Sequence, residues 1–316
     1  MTGLWLRRAF MVAAWASVAL LAGCGSSNVV SALTPTRFVA FGDAFSDLGA
    51  AGTGKYSVNN GGNNWVQQMA AGYGRSVTSV LDGGTSYARG NARVTSAVDA
   101  AGGAAPSVTQ QITNFLAAGG TFGPNDVAVI NGGFSDIIAE MGAVNSGAQT
   151  SAAMLANVGQ EGRDLAAQVR RLVKAGARYV LVTGVVNMGL TPWATSIGQV
   201  SLLSQASGKF NDELVVSMVD LGANVLYVDA AFFYNLMNTS PANYAFNNAV
   251  NPVCNSVDPG PGIGIGLGQV NSSLCTPATV GGQDYSKLLY ADAVYSTPSA
   301  HRQFGDYAYS RIHARW

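Results

Sequence analysis

The sequence is poor in the residues that metal sites and nucleic-acid surfaces require. It has only two histidines and three cysteines in 316 residues, and charged residues make up 11% of the chain. The 17 basic and 17 acidic residues balance, so the formal net charge is zero. Such a chain offers no basic stripe for phosphates and no run of lysines for a membrane surface. We therefore expect no nucleic-acid partner, and the scattered histidines and cysteines do not have the spacing of metal ligands.

The first 23 residues differ from the rest of the chain. Two arginines precede an apolar run over 9–21, and Leu-Ala-Gly-Cys follows at 21–24. The run is too short to span a membrane comfortably, and 21–24 resembles the lipobox at which bacterial lipoprotein precursors are cleaved. We expect residues 1–23 to be a signal peptide and Cys24 to be acylated. A plain secretory signal and an uncleaved anchor are the alternatives. By resemblance to lipoprotein sorting rules, Gly25 after the cysteine favours the outer membrane over retention in the inner membrane.

The remaining chain has the length and apolar content of one domain. Residues 24–36 are predicted to be a linker, and 37–316 a single α/β domain. Two cysteines remain there, Cys254 and Cys275. In an exported protein this pair predicts a disulfide across a Gly- and Pro-rich loop, which would stabilise the fold by roughly 3 kcal/mol. Two independent buried thiols are the alternative.

Short apolar runs alternate with helical periodicity along the domain. The predicted strands are 37–41, 126–131, 178–184 and 224–229. The predicted helices between them are 63–73, 106–118, 148–175 and about 197–221. The strands are apolar throughout, as burial on both faces requires, so we predict a three-layer α/β/α fold with a central, mainly parallel sheet.

Sites in such sheets lie at the carboxyl ends of the strands. Three polar stretches fall at predicted strand ends: 42–47, 132–136 and, after a further strand at Lys287–Tyr290, 292–301. The sequences that carry them are FGDAFSDLG at 41–49, INGGFSDII at 130–138 and YADAVYSTPSAHRQFGDYA at 290–308. A fourth polar stretch, GGTSYARGNARV, occupies 83–94.

These four blocks, in this order, resemble the SGNH or GDSL family of ester and lipid hydrolases, especially its exported lecithinase-like and autotransporter-like branch. The resemblance implies a serine nucleophile at the position of Ala44 and a histidine base at Tyr295, three residues after Asp292. It places the oxyanion-hole glycine at Asn91, or at Gly90 if the alignment slips by one.

The resemblance places the oxyanion-hole asparagine at Ser135, so at least three catalytic positions differ together. Ester hydrolysis through an acyl-enzyme needs an oxygen nucleophile and a base, and Ala44 has only a methyl group. A tyrosine with a pKa near 10 is a poor base at neutral pH. Loss of one oxyanion donor costs on the order of 100- to 1000-fold in rate. An engineered Ser→Ala change would leave the other two positions intact, so the pattern favours natural divergence.

Other residues in or near these blocks are less favoured candidates for catalytic roles. Ser46 and Ser135 are alternative nucleophiles, and His301 an alternative base, although a structural role near a helix start fits it better. Asp43 and Asp47 are predicted to accept backbone N–H groups in the turn. Asp292, without its histidine, is expected to accept from the Tyr295 hydroxyl or from the backbone. Asp136 could cap a helix or belong to the site.

We therefore expect an exported, lipid-anchored monomer of this family that has lost hydrolysis. In this hypothesis its cleft binds a small-molecule ester, an acyl lipid or a glycan without a cofactor, and the N-terminal lipid attaches it to the membrane. The rival is an esterase or lipase, either active through another nucleophile or inactivated by engineering. A third class, a structural envelope lipoprotein, predicts a cleft filled by side chains.

Overall fold

The computed structural model describes residues 31–316. The predicted signal peptide, 1–23, and the predicted acylation site Cys24 lie outside the described residues. The described part of the predicted linker packs on the domain. Leu33 is 5% exposed, and its N–H donates to the carbonyl of Trp316 at 3.2 Å. The folded part therefore begins before residue 37, because an apolar side chain of the predicted linker has a place in the core.

A four-stranded sheet forms the centre of the molecule. Its strands are Arg37–Phe41 (β1), Asp126–Asn131 (β2), Tyr179–Thr183 (β3) and Val225–Tyr227 (β4). They lie in the order β1-β2-β3-β4 and all pair in parallel. In the register, Phe38 lies opposite Val127, and Val129 opposite Leu181. Every residue of β2 is buried, as expected when helices cover both faces of a sheet.

Helices lie on both sides of this sheet. They are Trp65–Gly72 (α1), Val108–Ala117 (α2), Phe134–Asn145 (α3), Ser151–Lys174 (α4), Pro192–Ser196 (α5), Val200–Ser217 (α6), Ala230–Thr239 (α7) and Pro298–Arg315 (α8). α4 packs along α6, and α1 packs along α8. The predicted three-layer α/β/α fold is confirmed. β4 is shorter than predicted because Asp229 is already the N-cap of α7, where its side chain accepts from the N–H of Phe232.

A second, two-stranded parallel sheet lies beyond α7. It pairs Asn248–Pro252 (β5) with Leu288–Tyr290 (β6). The predicted strand at Lys287–Tyr290 therefore does not end at the edge of the central sheet, contrary to our expectation. Its partner went unrecognised because the asparagines and proline of β5 are not typical of a strand. Between these strands Cys254 and Cys275 form a disulfide with their Cα atoms 5.9 Å apart.

Candidate functional site

The turn that follows β1 is held against the end of β2. A Cβ on Gly42 would lie 1.8 Å from Oδ1 of Asn131, so glycine alone allows the two strand ends this approach. The Asp43 carboxylate accepts from Asn131 Nδ2 at 2.6 Å. It also accepts from the N–H groups of Phe45 and Phe134, at 3.0 and 3.1 Å. Burial raises the pKa of Asp43 to about 6. Asp43 thus shapes the turn, in the way the sequence suggested.

The nucleophile position within this turn is closed to solvent. Ala44 is 2% exposed, and Ser46, two residues further on, is fully buried. The N–H of Ser46 donates to the carbonyl of Asp43 at 3.1 Å. The Ser46 hydroxyl has no hydrogen-bond partner among residues 31–316. No base in this part of the chain is hydrogen-bonded to that hydroxyl, so its geometry offers no means of activating Ser46 as a nucleophile.

The loop after β6 brings the base position to the same end of the central sheet. Asp292 is fully buried, and its Oδ1 accepts from the N–H groups of Val294 and Tyr295 at 2.8 and 2.7 Å. Its Oδ2 accepts from the N–H of Ser272 at 3.1 Å. Asp292 therefore bonds to backbone groups, and the alternative of a bond from the Tyr295 hydroxyl is not observed.

The Tyr295 side chain points into the core and not into an open cleft. It is 1% exposed, and Ser135 is the side chain beside its hydroxyl, although neither oxygen completes a hydrogen bond. Burial raises the pKa of Tyr295 well above its ordinary value, and the nearby charge of Asp43 adds to this effect. The phenol therefore stays protonated at neutral pH and cannot serve as a general base.

The two alternative oxyanion positions have different hydrogen bonds. The N–H of Gly90 donates to Asp47 Oδ2 at 2.6 Å, so this donor already has an anionic acceptor. Asn91 adopts a φ of 60°, in the left-handed region that glycine prefers. Its side-chain Nδ2 donates to the carbonyl of Gly262 at 2.8 Å. Asn91 thus keeps the backbone conformation of a glycine, while its side chain ties the turn to the 259–268 loop.

A second tyrosine closes the space between these segments. A Cβ on Gly90 would lie 1.9 Å from the hydroxyl of Tyr56, so the phenol rests directly on this glycine. The rings of Tyr56 and Tyr295 are in edge contact, with centroids 5.2 Å apart. The Tyr56 loop is held by Asn59, whose side chain donates to the carbonyl of Cys275 at 3.1 Å. Sequence reasoning missed Tyr56, because its Gly- and Asn-rich loop has neither periodicity nor a motif.

An open cavity of about 230 Å³ adjoins the closed site. Asp47, Tyr56, Leu81, Arg89 and Gly90 line it, together with loop residues around them. Ala44 and Tyr295, the predicted nucleophile and base positions, do not line it. The cavity is smaller than the range of about 300–1,000 Å³ that is usual for drug-sized ligands. It can accept a small group beside Gly90, one of the two predicted oxyanion positions.

His301 lies close to the turn but inside the aromatic core. It is 2% exposed, and its ring centroid is 5.5 Å from that of Phe45. Burial is the main cause that lowers the pKa of His301 to about 3. The nearby charge of Lys55 acts in the same direction, and a backbone hydrogen bond with Tyr56 opposes both. A base this weak would not accept a proton at neutral pH. The geometry suits the structural role better than the alternative catalytic one.

Asp136 belongs to a buried ionic cluster and is not a helix cap. The N-cap of α3 is Gly133, whereas the carboxylate of Asp136 accepts from the N–H of Val94 at 3.1 Å. Arg93 donates to Glu140 at 3.0 Å and to Glu161 at 2.7 Å, and lies 3.4 Å from Asp136. The possible N-cap role of Asp136 is therefore wrong. Three carboxylates share one guanidinium, so the cluster cannot be neutral unless protons are bound.

Fourteen buried polar side-chain atoms within residues 31–316 have no hydrogen-bond partner, and half of them belong to the segments of the candidate site. These seven are Ser46 Oγ, Asn91 Oδ1, Asn131 Oδ1, Ser135 Oγ, Ser272 Oγ, the Tyr295 hydroxyl and His301 Nδ1. A buried polar group without a partner costs about 1–3 kcal/mol, so such atoms are uncommon where a core serves packing alone. Within residues 31–316, no cluster of three or more histidine, cysteine or acidic side chains could hold a metal ion.

The amino-acid sequence matches known proteins over most of its length. The profile of a family described as GDSL-like Lipase/Acylhydrolase matches residues 38–308. An uncharacterized protein in the trpE-trpG intergenic region of Pseudomonas putida is 29% identical over 219 residues, which is 67% of this chain and 33% of that protein.

Two relatives have names that state an activity. Esterase EstA of Pseudomonas aeruginosa is 34% identical over 146 residues, which is 44% of this chain and 20% of the esterase. Esterase EstA of Pseudomonas putida matches with the same figures. The chain spans about a third or less of the length of these curated relatives.

Proposed function

The chain belongs to the GDSL-like lipase/acylhydrolase family, and we propose that it has lost ester hydrolysis and binds a small ester or acyl group instead. The observation that carries the proposal is the burial of Ala44 and Tyr295, which are 2% and 1% exposed. They occupy the positions at which a hydrolase of this family would present its nucleophile and its base.

The chemistry of these two residues supports a loss of hydrolysis. A methyl group cannot attack an ester carbonyl, and a phenol whose pKa lies well above its ordinary value does not remove a proton at neutral pH. The alternative groups have no working partner. The hydroxyl groups of Ser46 and Ser135 lack hydrogen-bond partners within the described residues, and the low pKa of His301, about 3, makes it a very weak base.

The unpartnered polar atoms support an origin as a catalytic site. A core that had always been structural would be expected to pair or to replace such atoms, because each costs free energy while unpaired. The seven atoms in the site segments are what would remain if a nucleophile and a base were replaced while the surrounding polar groups stayed. This supports divergence from a hydrolase over an unrelated use of the fold.

The proposed ligand is an ester or acyl group that fits the 230 Å³ cavity. Hydrolases of this family act on esters and lipids, and the cavity lies against Gly90, beside the oxyanion segment. Arg89 and the backbone near it supply polar contacts, and Leu81 and Tyr56 supply apolar ones. A glycan chain, the other ligand class suggested by the sequence, would need a longer groove.

We also propose that the protein is exported and attached to the outer membrane through an acylated Cys24. The support is the short apolar run before the Leu-Ala-Gly-Cys sequence at 21–24. No helix in the part of the chain described by the structure is long and apolar enough to cross a membrane. Mass spectrometry of the chain extracted from membranes tests the proposal, because cleavage would leave an acylated Cys24 as the first residue.

One observation favours a second candidate, a structural envelope protein with no ligand. The rings of Tyr56 and Tyr295 pack against each other at the predicted site, and the cavity beside Gly90 is small for a ligand site. Ligand binding separates the two candidates. Short-chain acyl esters should raise the melting temperature of the wild-type protein, and Ala105→Phe, which places a ring in the cavity, should abolish the rise. Ala104→Phe, at an exposed neighbour outside the cavity lining, is the matched control.

Hydrolysis itself is tested with a short-chain aryl ester. We expect no turnover by the unmodified protein and measurable turnover by the Ala44→Ser, Tyr295→His double variant. Ala44→Ser alone should remain nearly inactive, because the serine has no base. Turnover by the unmodified protein would contradict the proposal and make His301 the next residue to replace. If both proteins are inactive while acyl esters still raise the melting temperature, the binding function stands and the surrounding donors have also been lost.

A further inference from the structure

Arginines and lysines that are far apart in the sequence meet at one end of the fold. Arg178 directly precedes β3, and Arg75 donates to the carbonyl of Pro35, two residues before β1, at 2.8 Å. Arg315 donates to the carbonyl of Gly222, in the loop before β4, at 2.8 Å. These three arginines therefore lie at the amino ends of three parallel strands, opposite the candidate site.

Two more basic residues extend this surface. Lys174 ends α4, five residues before β3, and Arg311 lies one helical turn before Arg315. All five side chains are exposed: Arg75, Lys174, Arg178, Arg311 and Arg315. We name this surface the basic end. No run of basic residues in the sequence revealed it, because only the parallel topology brings these positions together.

The acidic residues found at this end are already paired. Asp126, the first residue of β2, pairs with Arg37, the first residue of β1. Arg170 donates two hydrogen bonds to the Asp220 carboxylate, at 2.6 and 2.7 Å. The basic end therefore keeps a positive excess after these pairs are formed. At the opposite end of the fold, Asp43 and Asp47 follow β1, and Asp292 follows β6.

Exposed apolar side chains border the basic end. Val216 and Val219 are 69% and 79% exposed. Between them, the carbonyl of Ser217 accepts from Arg170 at 3.2 Å. Trp316, at the centre of this end, is half-buried against Tyr179 with ring centroids 5.0 Å apart. Basic residues beside exposed apolar and aromatic side chains are typical of surfaces that rest at a lipid–water interface.

The chain enters the fold at this same surface. The hydroxyl of Ser31 donates to the carbonyl of Trp316 at 2.7 Å, so the first described residue lies at the basic end. Seven residue steps separate Cys24 from Ser31, which allows a reach of at most about 25 Å. If Cys24 carries the proposed lipid, the basic end is the part of the domain that lies nearest the bilayer.

We propose that the basic end docks on an anionic lipid surface. The occupant is identified by charge complementarity and by the short tether that begins at this surface. Anionic lipid attracts basic residues only within about 8–10 Å at physiological salt, a distance that the tether permits. Docking would leave the carboxyl ends of the strands, and the cavity beside Gly90, facing away from the membrane. The inference builds on the proposed attachment at Cys24.

Hydrogen–deuterium exchange of the full chain with vesicles tests this inference. With vesicles of equal parts phosphatidylcholine and phosphatidylglycerol, we expect peptides covering 171–178 and 309–316 to exchange more slowly than with pure phosphatidylcholine. The protection should disappear at high salt. The Arg178→Glu, Arg311→Glu, Arg315→Glu variant should lose it. Lys209→Glu, Lys287→Glu, Arg302→Glu makes the same change in net charge on other faces and should keep it.

Three outcomes would overturn the inference. The first is equal protection from exchange by both kinds of vesicle, and the second is an equal loss of protection in both triple variants. The third is protection without vesicles that grows with protein concentration, which would assign the surface to a second copy of the chain. Mass spectrometry of Cys24 distinguishes a failure of the docking proposal from a failure of the proposed lipid attachment. An acylated chain without selective protection contradicts the docking surface alone, whereas a chain without lipid that is still selectively protected contradicts the anchor alone.

Discussion

The rings of Tyr56 and Tyr295 meet at an interplanar angle of 65°, with their centroids 5.2 Å apart. Tyr295 stands at the base position, and Tyr56 comes from the loop that follows the nucleophile turn. An imidazole at 295 would offer Tyr56 a smaller and more polar partner. The side chain at 295 and the position of Tyr56 thus belong to one packing arrangement, and a histidine at 295 would also loosen Tyr56.

The contact between Tyr56 and Gly90 leads to the first prediction. Gly90→Ala should destabilise the protein by about 1–3 kcal/mol, because the new Cβ would lie 1.9 Å from the Tyr56 hydroxyl. In a Tyr56→Ala background the same change should cost much less. Urea unfolding of the four proteins gives the coupling energy. Gly142→Ala, inside α3 where a Cβ meets no atom within 4 Å, is the control and should be neutral or stabilising.

The strands of the central sheet could be predicted from the sequence. β1, β2 and β3 consist mainly of continuous apolar runs. In an α/β chain, such short runs are typical of parallel strands that are buried on both faces. The sequence also predicts that 42–47 and 132–136 follow strands of the central sheet, which the structure confirms, whereas the strand before 292–301 belongs to the second sheet. What these segments contact depends on distant parts of the chain.

The parts that could not be predicted depend on contacts far apart in sequence. Tyr56 lies in a loop whose conformation is set by Asn59, which reaches the carbonyls of 272–275 more than 200 residues away. The basic end likewise has no local pattern. Asp136 was assigned a possible cap role because it follows a strand, but the turn to α3 begins at Gly133, so the carboxylate meets Val94 instead.

The second prediction concerns the disulfide between Cys254 and Cys275. The Cys254→Ser, Cys275→Ser variant should lose roughly 3 kcal/mol of unfolding free energy, because the bridge closes a loop with a sequence separation of 21. The Tyr56 loop should also loosen, since Asn59 bonds to the carbonyl of Cys275. Hydrogen exchange of residues 54–60 measures this second effect. Unchanged exchange there would mean that the loop is held without the disulfide.

The third prediction follows from the cluster of Arg93 with three carboxylates. Burial is the main cause that raises the pKa of Glu161 to about 8 and that of Asp136 to about 7. The folded protein therefore keeps protons that the unfolded chain releases near pH 4–4.5, and stability falls as the pH rises from about 4.5 to about 8. Glu161→Gln removes an ionisable group from this cluster.

We expect Glu161→Gln to gain stability relative to the wild type between pH 5 and pH 8, by roughly 1 to 3 kcal/mol. Thermal unfolding at several pH values measures the difference. Glu213→Gln is the control, since ion pairs with Lys209 and Arg163 lower the pKa of Glu213 and keep it charged throughout this range. A constant difference between Glu161→Gln and the wild type would show that the cluster does not hold its protons at neutral pH.

The last prediction has the opposite sign and concerns His301. Its pKa in the folded protein is lowered to about 3, whereas the unfolded chain binds the proton near pH 6.5. The folded state cannot take up this proton, so stability falls as the pH drops below about 6.5, by about 1.4 kcal/mol for each pH unit. His301→Phe and His301→Gln should both remove this loss. Between pH 6.5 and pH 4.5 each variant should therefore gain roughly 2–3 kcal/mol relative to the wild type.

Nuclear magnetic resonance gives a direct check, because the ring signals of His301 should not titrate between pH 5 and pH 8. A titration near neutral pH would return His301 to the list of possible bases and would weaken the case against hydrolysis.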